Sequence, residues 1–213
     1  MAYQTIEEMM ENPSTRKVLA IAQEMFLSLG YAQVEMKDVA ARSGISRSTL
    51  YRHFPSKESL AFYVSLSIFQ SQQLCYSGPL PEGSGLDRLA FAVRKTAQLL
   101  SLRRAQVAYL TQFDIVFSGN YPDMEVSNYY ESYVRSMGRP FLQLMEEGMA
   151  DGSIRPLKDP MLAAITLSNA LLALAQRVLP REEHFRREQG YGVEMLTELA
   201  ETLIDSYANR QPT

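Results

Sequence analysis

A single cysteine, Cys75, in a chain of 213 residues excludes an internal disulfide and fits a reducing compartment. Histidine is almost as scarce, with only His53 and His184. Together with one thiol they supply no ligand set at metal-binding spacing, so no metal and no cofactor is expected. No GxSxG, phosphate loop or HExxH occurs, which leaves a helical enzyme as an alternative with little chemistry to support it. The acidic pairs Glu146-Glu147 and Glu182-Glu183 are adjacent on helices, so their side chains diverge, and they read as solvated faces. No run of about 18 apolar residues is free of charge, and the acidic start MAYQTIEEMMENPS lacks the apolar core of a signal peptide. The expectation is a soluble, cytoplasmic protein with no membrane segment. Alternating runs rich in valine and isoleucine are also missing, so the fold is expected to be all-α.

What is present is concentrated between Lys37 and Lys57, in KDVAARSGISRSTLYRHFPSK. Met36, Val39 and Ala40 give an apolar helix face, and Gly44 supplies a residue that accepts a left-handed backbone at little cost, so a helix is predicted to stop near Ser43. Ser46 is placed to cap the next helix, Ile45, Leu50 and Phe54 to point inward, and Pro55 to end it. The outward face then carries Arg47, Ser48, Thr49, Tyr51, Arg52 and His53, which are donors for phosphates and base edges. Lys37, Arg42, Arg47, Arg52 and Lys57 stand against Asp38 alone, a local charge of +4 in a chain of net −3, which leaves −7 for the remainder. A basic patch on an acidic protein gives double-stranded DNA one surface to be attracted to. Two bland alternatives stay open here: Tyr51 as a core aromatic, and Arg42 and Arg52 as ordinary solvated charges.

Upstream, Val18, Leu19, Ala22, Met25, Phe26 and Leu29 form a stripe at helical spacing between Asn12-Pro13-Ser14 and Gly30. With RKVLAIAQEMFLSLGY and MKDVAARSGISRSTLYRHFPSKESL, the stretch from Thr15 to Leu60 resembles the N-terminal domain of the TetR family of bacterial transcriptional regulators, most specifically in LYRHF followed by SKE. One departure stands out: Val34 and Glu35 occupy the start of the second helix, where the family usually has Thr or Ser, and Glu is the poorer cap. The resemblance implies that Lys37, Tyr51, His53 and Lys57 hold the DNA backbone while Ser46 opens the recognition helix and Arg47, Ser48 and Thr49 face the major groove. Arg47, in the first turn, is the best placed for bidentate readout of a guanine.

The remaining chain, about 150 residues, is a normal domain size. A helix-turn-helix domain over 1–58, with its motif at about 36–54, is therefore expected to precede an all-helical domain over 59–213. Helices are predicted from Ser56 to about Gln73 with a stripe at Leu60, Val64 and Ile68, then at about 86–102, 104–117 and 123–149. Met161–Leu179 is apolar on nearly every face and must be covered all round, whereas Val193–Tyr207 is amphipathic. Two such helices from each of two subunits would make a four-helix bundle through Leu167, Ala170, Leu174, Leu196, Leu199 and Leu203. Burial within one subunit is the alternative, and the resemblance favours the homodimer, hence an inverted-repeat operator. Phe69, Tyr109, Phe113, Phe117, Tyr129, Tyr130, Tyr133 and Met137 suit a pocket for a small apolar or aromatic effector, which the resemblance places in this region. The alternative is an aromatic core in a domain that only dimerises, and the polar residues Asp114, Asn169 and Gln176 fit either the orienting of a ligand or the satisfying of backbone groups or the dimer seam.

Overall fold

The computed structural model describes residues 4–74, 78–122 and 124–210. Cys75 lies outside them. Among the described residues there are twelve α-helices and no strand, with one isolated antiparallel bridge between Ile154 and Ala208. Contacts divide the chain into two compact units, Met1–Leu74 with Ala108–Tyr133, and Cys75–Val107 with Val134–Thr213.

In the first unit, α1 (Ile6–Glu11) is opened by a reciprocal capping box, Glu8 N to Thr5 Oγ1 at 3.3 Å and Thr5 N to Glu8 Oε2 at 2.9 Å. Sequence reading passed over this helix. Asn12 caps α2 (Pro13–Leu29), and Gly30 at φ 80° closes it, as the Asn-Pro and Gly signals predict. A 3-10 turn over Tyr31–Gln33 leads into α3 (Met36–Ser43) and α4 (Arg47–His53). α5 (Lys57–Leu74) is the centre of this unit. Its expected stripe of Leu60, Val64 and Ile68 is only part of the buried surface, because every residue from Ser59 to Phe69 is buried. The later part of α7 (Arg104–Val116) and most of α8 (Glu125–Ser136) complete the unit.

In the second unit, α6 (Gly85–Leu102) packs on α9 (Arg139–Asp151) and α12 (Glu194–Tyr207), and α10 (Pro160–Val178) lies against all three. Leu89, Val93, Met145, Leu167, Leu171 and Leu196 form the core. The single helix predicted over 123–149 is two helices, broken at Met137-Gly138. Pro140 has no N–H to return to the carbonyl of Ser136, so it is accepted in the first turn of α9 but not inside a continuous helix, and Gly138 sits where a Cβ would be 3.2 Å from Ile165 Cγ1. α11 (Glu182–Gln189) was not expected, since its one buried residue is Phe185, with the Arg177 guanidinium 5.2 Å from the ring centre. Nor is α10 covered all round within the chain. Ala164, Leu167, Leu171, Ala175 and Val178 are fully buried, while Leu162 and Ile165 are 60% and 38% exposed. α10 is long and apolar enough to cross a membrane by composition, yet this buried face is part of the second unit's core.

Candidate nucleic-acid interface

Gly44 is left-handed, at φ 71° and ψ 30°, and its N–H and that of Ile45 return to the carbonyls of Ala41 and Ala40, each at 3.1 Å. The chain then reverses into α4, whose first turn is capped by Ser46: the Thr49 N–H donates to Ser46 Oγ at 3.1 Å. The hydroxyls of Ser48 and Thr49 both lie 2.9 Å from that of Ser46, so three hydroxyls gather at one helix start. At seven residues α4 is too short to be stable alone. Leu50 and Phe54, both fully buried, anchor it. This fixes the opposite face outward: Arg47, Ser48, Tyr51 and Arg52 are exposed, and Thr49 and His53 are half-buried. Tyr51, at 47% exposure, is not the core aromatic that the sequence left open.

The cations differ in how far they are already engaged. Arg47 and Arg52 make no ion pair among the described residues, whereas Arg42 Nη2 is 2.7 Å from Glu24. Lys37 Nζ is 2.6 Å from Glu35 Oε2. That hydrogen bond holds the Lys37 ammonium above its ordinary pKa and the Glu35 carboxyl below its own. Glu35 is the N-cap residue of α3 but makes no capping bond, so the departure noted in the sequence is real and its carboxylate serves Lys37 instead. Lys57 Nζ donates to Tyr31 O at 3.0 Å and reaches Ala32 O at 3.4 Å. His53 faces Gln4 Oε1 at 3.5 Å, and burial, then the charge of Arg52, pulls its pKa below the ordinary histidine value.

Along α5 an aromatic cluster is centred on Phe62, whose ring lies 5.1 Å from Phe113, 5.0 Å from Phe117, 5.3 Å from Tyr121 and 5.2 Å from Tyr130. Phe69 joins through Tyr130 at 6.1 Å and Tyr109 through Phe113 at 6.4 Å. The Tyr109 hydroxyl donates to Ala61 O at 2.9 Å. Burial raises the pKa of both Tyr109 and Tyr130, so each keeps its proton as a donor. The structure thus gathers five of the eight expected effector residues. Tyr133 pairs instead with Tyr129 at 6.1 Å, and Met137 belongs to the second unit. Sequence reading missed Phe62 and Tyr121, although Phe62 is seven residues from Phe69 and so on the same helix face.

Of the residues expected at a dimer seam, Leu167 and Leu196 are fully buried in the core of the second unit, while Ala170, Leu174, Leu199 and Leu203 are half-buried at its edge. Glu182 is not the solvated residue expected; Arg104 and Arg186 both pair with it, and Val193 N–H donates to it at 3.2 Å. Glu147, also expected in solvent, pairs with Arg88 at 3.0 Å. No group of three potential metal ligands occurs among the described residues.

Residues 18–64 match the family model described as bacterial regulatory proteins, tetR family. The chain is 26% identical over 151 residues to the HTH-type transcriptional repressor KstR2 of Mycolicibacterium smegmatis, covering 68% of this chain and 70% of that protein. It is 25% identical over 203 residues to the HTH-type transcriptional repressor DhaR of a Mycobacterium species, covering 94% and 98%. A Rhodococcus regulatory protein of the tetR family shares the fold, with a TM-score of 0.70 at 20% identity over 94% of this chain and all of that one. The family match spans α3, the Gly44 turn and α4, where the exposed basic side chains lie, and these likenesses support a DNA-binding regulator similar to those of the TetR family.

Proposed function

We propose that the chain is a ligand-responsive repressor that binds an inverted-repeat operator as a homodimer, acts in the cytoplasm, and releases DNA when a small apolar or aromatic effector binds. The observation that carries the DNA side is Arg47, exposed and without an ion pair among the described residues, in the first turn of a helix whose other face is anchored by Leu50 and Phe54. In this reading Arg47, Ser48 and Thr49 face base edges, and Lys37, Tyr51, His53 and Lys57 hold phosphates. Residues 1–58 form the reader and 59–213 the sensing and dimerising part. The family relatives are transcriptional regulators, which favours this reading over an enzyme.

The effector would occupy the region of Phe62, Phe113, Phe117 and Tyr130, with tyrosine hydroxyls to orient it. α5 supports a mechanism, because one helix carries Lys57 at its start and both Phe62 and Phe69 along its length. An effector that prefers one tilt of α5 changes the spacing of the two readers in the dimer, and by linkage the operator weakens effector binding by the same factor.

The test is selection of bound sequences from a random DNA library by the purified protein, compared with Arg47→Ala at fixed salt. An enriched inverted repeat whose preference relaxes in the variant supports the reading. No enrichment at low or moderate salt sinks it.

A further inference from the structure

Away from the aromatic cluster, the first unit holds a hollow of about 570 Å³ where α1, the end of α4, α5 and the start of α8 meet. That volume suits a small organic molecule. Met9, Tyr63 and Val126 are buried residues that give it fixed apolar walls, and Met124 adds a flexible one. Its rim is tied down: Tyr63 Oη donates to Gln4 O at 2.7 Å, and the Ile6 N–H donates to Tyr129 Oη at 3.0 Å, so α1 is strapped to both α5 and α8. Two donors from the last turn of α4, the Arg52 guanidinium and the His53 imidazole, also line it. Glu125 lines it as well, and its negative charge disfavours a second acidic group on anything bound there.

We propose that this hollow is a binding site for a monoanionic amphipathic molecule, an aromatic or branched carboxylate, with its carboxylate on Arg52 and His53 and its body against Met9, Tyr63, Met124 and Val126. The site is separate from the one proposed on Phe62 and Phe113. Occupation takes up two side chains of α4, so the ligand and DNA compete directly; this consequence alone rests on α4 being the reader.

The chain has two histidines, and His184 lies on α11 in the second unit, which makes the test specific. The full chain, labelled with carbon-13 in its histidine rings, is titrated with 2-naphthoate and followed by NMR without DNA. The expected result is a saturating shift of the His53 signal with His184 unmoved. Arg52→Gln, an exposed change that leaves the fold intact, weakens the probe about 10-fold through loss of a charge-assisted hydrogen bond. Met124→Trp fills the hollow and abolishes the shift, and an unmoved His184 signal shows that the second unit is undisturbed. The proposal is overturned if the His53 shift grows linearly without saturation, or if it saturates equally in both variants. Because no DNA is present, failure here leaves the assignment of α4 as reader untouched.

Discussion

The Lys57 ammonium lies 3.0 Å from the carbonyl oxygen of Tyr31 and 4.5 Å from the centre of the Tyr31 ring. It thereby satisfies a carbonyl of the 3-10 turn that feeds α3 and makes a cation–π contact with the same residue. With its second contact to Ala32 O, one of its three N–H donors stays available for phosphate. Lys57→Met is therefore expected to lower stability by about 1 kcal/mol, the usual net worth of such a hydrogen bond. It should also flatten the dependence of operator affinity on salt by about 0.9 in log–log slope, one phosphate contact. Thermal unfolding and operator titrations at several salt concentrations read the two effects. An unchanged slope would leave Lys57 as a strut only.

Ser46 and Arg47 are neighbours whose substitutions are expected to have separable effects. Ser46→Ala removes the cap of a seven-residue helix and is expected to cost about 1 kcal/mol of stability. Arg47→Ala, on an exposed side chain with no ion pair among the described residues, should leave stability within about 0.5 kcal/mol. Its effect is instead a loss of about 1–3 kcal/mol of discrimination at one base pair of the operator. Equal losses on cognate and random DNA would show that Arg47 contacts phosphate.

The helix-turn-helix was legible because its signals are local. Asn12, Gly30, Gly44 and Ser46 each do where they stand what their residue type predicts. α1 was legible too and went unread, since Thr5 and Glu8 have capping-box spacing. α11 was not, because eight residues with one buried side chain carry no stripe. The surroundings of α5 and α10 depend on partners distant in sequence. Hydropathy could say that α10 is apolar on many faces, but not that Leu167 turns into the chain while Leu162 turns out. The aromatic cluster was half visible for the same reason: i, i+4 and i, i+7 spacing aligns Phe113 with Phe117 and Phe62 with Phe69, whereas pairing between helices is set by tertiary packing.

Gly85 and Gly148 let α6 and α9 cross at backbone contact. A Cβ at Gly85 would overlap the backbone nitrogen and Cα of Gly148, whereas a Cβ at Gly148 would lie 2.5 Å from the end of the Ile154 side chain. Backbone cannot yield and a side chain can. Gly85→Ala should therefore cost about 4 kcal/mol or more, and Gly148→Ala about 1–3 kcal/mol. Urea unfolding of both variants checks the order, and the reverse ranking would mean that the helices cross elsewhere.

With His53 in its proposed place beside a phosphate, pH acts on the ring in two opposed ways. Burial and Arg52 lower its pKa, so between that value and about 6.5 the unfolded chain binds more protons than the native one. Stability contributed by the neutral ring is present above about pH 6.5 and is lost as the solution is acidified through this window. A phosphate beside the ring has the contrary effect and favours the imidazolium. His53→Gln should thus lose less stability than the parent between neutral and mildly acidic pH, and its operator affinity should gain less on the same acidification. Parallel pH curves for the two proteins would remove His53 from both roles.

The outward side of α10 provides the sharpest test of the dimer. Leu162 and Ile165 are exposed at one helical turn's spacing, on the side away from Leu167 and Leu171. Apolar side chains gathered on one exposed face mark an interaction surface more often than a solvated one. Leu162→Glu with Ile165→Glu is expected to convert a dimer to a monomer in sedimentation while the protomer stays folded, since neither residue is in the core. Operator affinity should fall with it, because an inverted repeat needs two readers joined at fixed spacing. Leu167→Ala provides the contrast: it empties a fully buried position and should cost about 2–5 kcal/mol of protomer stability. A parent protein that sediments as a monomer at every concentration, or a double variant that stays dimeric, would move the dimer seam off this face of α10.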